Sequence, residues 1–487
     1  MSQMFKTAPL SARILADMDT TTTSAASAPR RISALPGPRG LPFLGNTLQL
    51  RPSKVHADVE AMARRYGPLF QMRIGRQQVL VVADAALVGA ILRERPDGFR
   101  RPDVTARVSD ELGGERGVFL AEGAVWRKQR KMVMQAFAPH AIKAYFPLLA
   151  RVGARLQQRW AQAARDGRPI ALNADLKRYT VDVIAGLAFG EEVNTIENGD
   201  DVVQRQLELI MEGTARRSLM PVPYWRYVKL PYDRRLEAAV RATRAATNGF
   251  IAKARQRMQD DPSRASHPHN MLEAMLAAAD QEGSGIDQGA VIGNVSTMLL
   301  AGEDTTSSAL SWLIWLLARH PAALQRAQEE VRGVAPDPSA FTIEQMDRLE
   351  FVDACAHEAM RLKPPAPFLP LQANHDCVVG DVRVPKDCVL WCVLRHDSVS
   401  EAKVHNAAAF DPQRWLDGGN VRQLAMPFGS GPRLCPGRYL SLLEIKVAMA
   451  CLLGAFDIVS VDGDSGEYHG FVMQSGALTM RLLPRAG

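Results

Sequence analysis

The chain reads as mainly α-helical with a minor β portion, gathered around one large core. Three observations point there. Residues 121–332 carry a helical pattern dominated by Ala, Leu, Arg and Gln. Two shorter stretches, 69–82 and 364–394, alternate β-branched residues with turns. No repeat or composition break divides the 487 residues into two domains. Hydrophobic residues make up 47% and charged residues 23%, ordinary globular values that exclude wholesale disorder. With 59 Lys and Arg against 52 Asp and Glu, the net charge is +7. That mild excess suits an acidic protein partner and speaks against a nucleic-acid binder. Six cysteines in such a length make no disulfide framework and fit a reducing compartment.

Residues 1–34 read as a loose tail, since the Thr, Ser and Ala run at 20–28 offers nothing to pack. No apolar stretch near that end approaches the ~20 residues of a membrane span. Asp17 and Asp19 also break up any secretory signal. A transit peptide is the alternative offered by basic Lys6, Arg13, Arg30 and Arg31, but the same two aspartates weaken it. The expectation is a cytoplasmic chain whose residues 35–487 form a single domain. That domain opens on Leu35-Pro36-Gly37-Pro38-Arg39-Gly40-Leu41-Pro42, where Pro and Gly forbid helix and central strand and leave an extended, ordered segment. Residues 69–82 follow as a short β portion turning at Gly75. The helical region is interrupted by turn signals at 221–224 and 260–269, and its longest candidate helix spans 286–319. Strands return at 364–394, and one last helix follows Pro436.

The most informative stretch is Phe428-Gly429-Ser430-Gly431-Pro432-Arg433-Leu434-Cys435-Pro436-Gly437-Arg438. Pro436 suits the first position of a helix continuing through the apolar run 439–456. Cys435 would then stand at a helix N-terminus, where free N–H groups and the dipole favour a thiolate. Gly429 and Gly431 permit a tight loop, Gly437 leaves room for something flat and large, and Arg433 offers a cation to an anion. A soft anionic sulfur beside a flat cavity is what a haem iron requires. A lone cysteine by a glycine-rich turn is more often a buried structural thiol, but this pattern is far longer. It resembles the haem-binding loop of the cytochrome P450 superfamily, Phe-x-x-Gly-x-Arg-x-Cys-x-Gly, with every specified position filled. The resemblance runs from about residue 35 to residue 481. It implies the cytochrome P450 fold, with haem b buried between a long distal helix and a proximal cysteine loop. In that reading Cys435 is the iron ligand, and Phe428 and Gly437 lie against the cofactor.

Inside the 286–319 helix stands Ala301-Gly302-Glu303-Asp304-Thr305-Thr306. An acid and a hydroxyl in an apolar helix are costly unless they are used. Read from the residues, Gly302 weakens the helix and Thr305 disturbs its hydrogen bonds, opening a groove for a small ligand. Equally, Asp304 could cap a second helix after a turn. Similarity to the family's oxygen-activating motif implies that Ala301 borders the cofactor and that Asp304 and Thr305 manage protons where O2 is activated.

Glu358-Ala359-Met360-Arg361 sets opposite charges three apart on one helix face, by itself the mark of a solvated pair. With Phe410-Asp411-Pro412-Gln413-Arg414-Trp415 downstream, it resembles the family's Glu-x-x-Arg helix and partner arginine. The resemblance makes Glu358, Arg361 and Arg414 a buried structural network. Trp126 and Arg130 are donors four apart on one face, suited to a carboxylate; the family uses such a pair on a haem propionate, with Arg433 as a third donor. Arg127, Lys128 and Lys131 read as a solvated face. One departure stands out: where many members carry a further propionate-binding arginine, this chain has Leu371. A zinc cluster from Cys388, Cys392 and His396, with His375 and Cys377 nearby, is a rival reading in a strand-like run that lacks a tight knuckle.

Together the resemblance implies a monooxygenase inserting one atom of O2 into a lipophilic small molecule, by hydroxylation or epoxidation. Electrons would come from NAD(P)H only indirectly, through a ferredoxin or flavodoxin and its reductase, because the sequence shows no nucleotide-binding glycine motif. A monomer is expected. A peroxide-driven or rearrangement enzyme on the same fold, and a non-enzymatic haem-thiolate sensor, are the alternatives.

Overall fold

A computed structural model describes residues 28–190, 193–199, 202–220, 222–337 and 340–485. The core is a stack of helices around Gln288–Leu317, here called the central helix, which packs along Leu172–Phe189 and Glu350–Leu362. Both partners bury most of their length, so the central helix is apolar all round rather than on one stripe. It is continuous. Asp287 caps its start by accepting from the Ala290 N–H at 2.7 Å, so Asp304 caps no second helix.

The main sheet has five strands, in the order Leu69–Ile74, Gln77–Val82, Val389–Val393, Phe368–Ala373 and Phe99–Arg100. The first two form the expected hairpin, with Gly75 at φ +57° supplying the left-handed turn residue. Gln77–Val82 then pairs parallel with Val389–Val393, and Val79 to Val82 are all buried. A run without alternation is the signature of a strand covered on both faces.

Two features correct the sequence reading. Regular structure begins before residue 35: Arg30–Arg31 pairs parallel with Val382–Val384, and Ile32 is only 4% exposed. Of the tail assigned to residues 1–34, residues 1–27 lie outside the described residues. At the other end, Arg438–Ala455 gives way directly to the strand Phe456–Gly463. It pairs antiparallel with Leu478–Pro484, which in turn pairs with Ile170–Ala171. No turn residue separates that helix from its strand, so the apolar run concealed the change of period.

The irregular segment that leads to the cysteine loop is organised by a sealed ion pair. Arg361 donates from Nε and Nη2 to the two oxygens of Glu358, each at 2.7 Å, and neither side chain touches solvent. The same carboxylate accepts from Arg414 Nε at 3.0 Å, Trp415 Nε1 at 2.8 Å and the Asp411 N–H at 3.0 Å. Arg361 also donates to the carbonyls of Ser398, Ala407 and Ala409. Breaking such a pair leaves a buried charge without compensation. Glu358→Ala is expected to destabilise the loaded protein by about 3–5 kcal/mol, read as a shift in its urea unfolding curve.

Candidate active site

The cysteine loop is closed by the Cys435 N–H donating to the Phe428 carbonyl at 3.0 Å. Gly429 and Gly431 have φ of +75° and +71°. A Cβ on Gly431 would lie 2.6 Å from Arg93 Cα and from the Leu92 carbonyl oxygen, so the loop is pressed backbone to backbone on the helix Ala85–Arg93. A Cβ on Gly437 would meet Phe137 at 3.5 Å and the Cys435 sulfur at 4.0 Å. Glycine there keeps the flank of the sulfur clear. The Phe428 ring lies near His357 and under the Arg438 guanidinium.

The expected helix start shifts. The helix begins at Arg438 with Gly437 as its cap, and Pro436 belongs to the preceding turn. Burial pushes the Cys435 thiol up, opposed by the Gly437 N–H and by Arg130 and Arg438. A coordinated metal deprotonates a thiol outright.

On the central helix, Ala301 is exposed and Thr305, one turn on, is half-exposed, although the helix is otherwise largely sealed. Thr305 Oγ1 donates to the Ala301 carbonyl at 2.7 Å. A Cβ on Gly302 would lie 3.0 Å from Ile184, so this glycine admits the crossing helix rather than loosening its own. Asp304 faces Lys177 Nζ at 3.1 Å. Thr306 and Ser441 share a hydrogen bond of 3.1 Å, which ties the central helix to the cysteine helix one turn beyond Gly437. Beside it Glu444 is buried, and burial raises its carboxyl to about 8. Lys177, Ser441 and Glu444 were not singled out from the sequence, where they sit in ordinary amphipathic or apolar runs.

Two segments close over this face. The Val118 N–H donates to Asn294 Oδ1 at 2.8 Å, holding the 114–119 loop on the central helix. Ser308 Oγ donates to the Met473 carbonyl at 2.7 Å, holding the hairpin of Glu467–His469 and Met473–Ser475. Their tips meet where the rings of Phe119 and Phe471 lie 5.9 Å apart.

The basic residues have these partners within the protein. Arg433 stacks over the Trp126 ring at 4.7 Å, donates to the Ala121 carbonyl at 2.6 Å and pairs with Glu122. Its Nε is sealed without a hydrogen-bond partner. Arg130 donates to the Leu434 carbonyl at 2.7 Å, one residue from the cysteine. Leu371 is fully buried among apolar side chains. Arg127 pairs with Asp97 at 2.5 Å, and Lys128 and Lys131 are exposed. Among the described residues no group of three His, Cys, Asp or Glu side chains converges to hold a metal ion. Cys388 and Cys392 are instead thiols that burial raises to about 11 and about 12.

A family model of cytochrome P450 matches residues 35–476. The chain belongs to the cytochrome P450 family. It is 29% identical over 447 residues to a self-sufficient cytochrome P450 monooxygenase of Aspergillus niger, covering 88% of this chain and 41% of that protein. It is 26% identical to a bifunctional cytochrome P450/NADPH–P450 reductase of Bacillus cereus, over 94% of this chain and 43% of that one. Cytochrome P450 3A6 of Oryctolagus cuniculus is 25% identical over 87% of this chain and 85% of its own length. The chain thus spans less than half of the two fused relatives. A crystal structure of the cytochrome P450DA heme domain superposes with a TM-score of 0.81 at 23% identity, covering 94% of this chain and 99% of that one. The family uses haem b. The residues present fit that group: a thiol with an open flank, a half-exposed helix face across from it, and sealed guanidinium N–H groups with no partner. Among the described residues no helix is long and apolar enough to cross a membrane.

Two measurements check this geometry. Gly431→Ala puts a side chain into a left-handed backbone, at about 1–3 kcal/mol, and into the helix beneath. It is expected to lower both haem content and thermal stability. Asp353, on the helix of Glu358, contacts Lys446 of the cysteine helix at 3.1 Å and His357 at 3.1 Å. Burial pushes its carboxyl up, but His357 and Lys446 outweigh burial and hold it at about 2. A depressed carboxyl contributes stability that is present above its unfolded value of about 3.9 and lost as pH falls through the folded value. The stability difference between the wild type and Asp353→Asn should therefore be steady near pH 5 and shrink as pH falls toward 2.

Proposed function

We propose that the chain is a haem-thiolate monooxygenase that places one oxygen atom of O2 on a lipophilic small molecule. The observation that carries this reading is the pairing of the cysteine loop with Asp304-Thr305 on an otherwise sealed helix. Haem b, when bound, supplies the redox chemistry that cleaves dioxygen and oxidises carbon. Cys435 would be its ligand, with Phe428, Gly437 and Ala301 lying against it. Trp126, Arg130 and Arg433 form the polar edge of the site.

Thr305 and Asp304 handle protons. The Thr305 hydroxyl spends its hydrogen on the Ala301 carbonyl, and a change of rotamer frees it to donate into the site. Asp304 is held by Lys177 near the crossing helix. Released from that pair, its carboxylate can carry a proton inward and hand it to the hydroxyl. The Phe119–Phe471 lid favours apolar substrates and excludes water.

Electrons derive from NAD(P)H through a reductase, and a ferredoxin or flavodoxin is the proposed carrier. Lys128 and Lys131 are exposed cations on the Trp126 helix that suit such an acidic protein. The chain is proposed to act as a cytoplasmic monomer.

The test uses two substitutions. Cys435→Ser should abolish the red-shifted Soret band that reduced, carbon monoxide-treated protein shows with thiolate ligation. Thr305→Ala should keep that band and substrate binding but divert most reducing equivalents to peroxide. Product per electron donor staying at the wild-type ratio would remove Thr305 from the mechanism. A band unchanged by the serine would remove Cys435.

A further inference from the structure

The buried charge around Arg433 does not balance within the protein. Arg95 follows the helix Ala85–Arg93 and is only 4% exposed, yet its Nε and Nη2 are sealed without a hydrogen-bond partner. Arg101 lies flat over the Phe119 ring at 3.4 Å and spends Nε on the Phe119 carbonyl. Among the described residues it forms no ion pair. Glu122 accepts from the Arg101 N–H at 3.0 Å and pairs with Arg433, and it is also the carboxylate nearest in effect to Arg95. With Glu122 taken by Arg433, Arg95 is left as a buried positive charge that forms no ion pair among the described residues. Arg130 also lies near Arg433, but it has a partner within the protein, donating to the Leu434 carbonyl at 2.7 Å.

Uncompensated interior charge is expensive, and orphaned guanidinium N–H groups add to that cost. A dianion cancels both. Haem b carries two propionates. The charge of Arg95 is felt by Cys392, which pairs across the sheet with Leu369, two residues from Leu371. Arg95 therefore approaches the face of the sheet on which Leu371 stands in place of an arginine.

We propose that Arg95 is a haem-binding residue of this chain. Its free Nε and Nη2 donate to a propionate and replace the arginine missing at Leu371, while Arg433 Nε serves the other carboxylate. This rests on the haem reading above and extends it to a residue outside the cysteine loop and the Trp126 helix.

The test measures haem transfer from the loaded protein to excess apomyoglobin. Arg95→Met is expected to lose haem about tenfold to a hundredfold faster, the worth of one charge-assisted hydrogen bond. It should keep its thiolate Soret band under carbon monoxide. Arg95→Lys keeps the charge but not the paired donors, and should fall between. Adding Leu371→Arg to Arg95→Met should restore retention. Loaded with haem dimethyl ester, whose propionates are uncharged, wild type and Arg95→Met should release the cofactor at the same rate.

Natural haem leaving both Arg95 variants at the wild-type rate would overturn the assignment. So would equal acceleration with the ester, which marks a merely structural arginine. Failure of the wild type to show the thiolate band would instead strike the haem-thiolate reading itself.

Discussion

The carboxylate of Glu358 is the point on which the site hangs. The chain between the strand Val389–Val393 and the cysteine loop contains only short helical turns, so its backbone groups cannot satisfy one another in ladders. Arg361 takes three of those carbonyls, Arg414 takes three more, and both arginines are held by the same carboxylate. A sealed ion pair is a poor source of net stability compared with apolar packing, but it is directional. It sets where this irregular segment lies, and with it where Phe428 to Cys435 can lie. The loop is then seated from the other side by Gly431 on the helix of Arg93.

The interior holds groups in states that burial opposes. The Cys435 thiol is pushed up, Arg433 is pushed down to about 10, and Arg95 and Arg101 are lowered by the same desolvation. Each would be relieved by a partner of opposite character: a metal for the sulfur, carboxylates for the guanidiniums. The polypeptide is thus matched to a cofactor that is a cation at its centre and an anion at its edge. The same logic separates the two sides of the site, since the central helix offers the Thr305 hydroxyl, the Asp304 carboxylate and apolar groups.

Much of this was legible in the residue order. The cysteine loop could be read because its requirements are local: glycines where the backbone turns left-handed, a proline and a glycine before the helix, one thiol. The hairpin at 69–82 and the long helix around Thr305 follow from period and turn chemistry for the same reason. The strands after residue 455 escaped because one apolar run feeds both a helix and a strand. The role of Gly302 escaped because only the crossing of Leu172–Phe189 shows what the missing side chain admits.

By itself the sequence determined the chemistry: a thiol in a specified loop, an acid–hydroxyl pair within an apolar helix, and the charges that lock Glu358 to Arg361 and Arg414. These are contiguous patterns, and their physics acts over a few residues. Tertiary structure decided the partners. Lys177 meets Asp304, Ser441 meets Thr306, and Arg95 joins Arg101, Arg433 and Glu122 across hundreds of positions. No spacing encodes those meetings, because electrostatic compensation depends on distance in space and on exclusion of water, and both exist only once the helices and the sheet have packed.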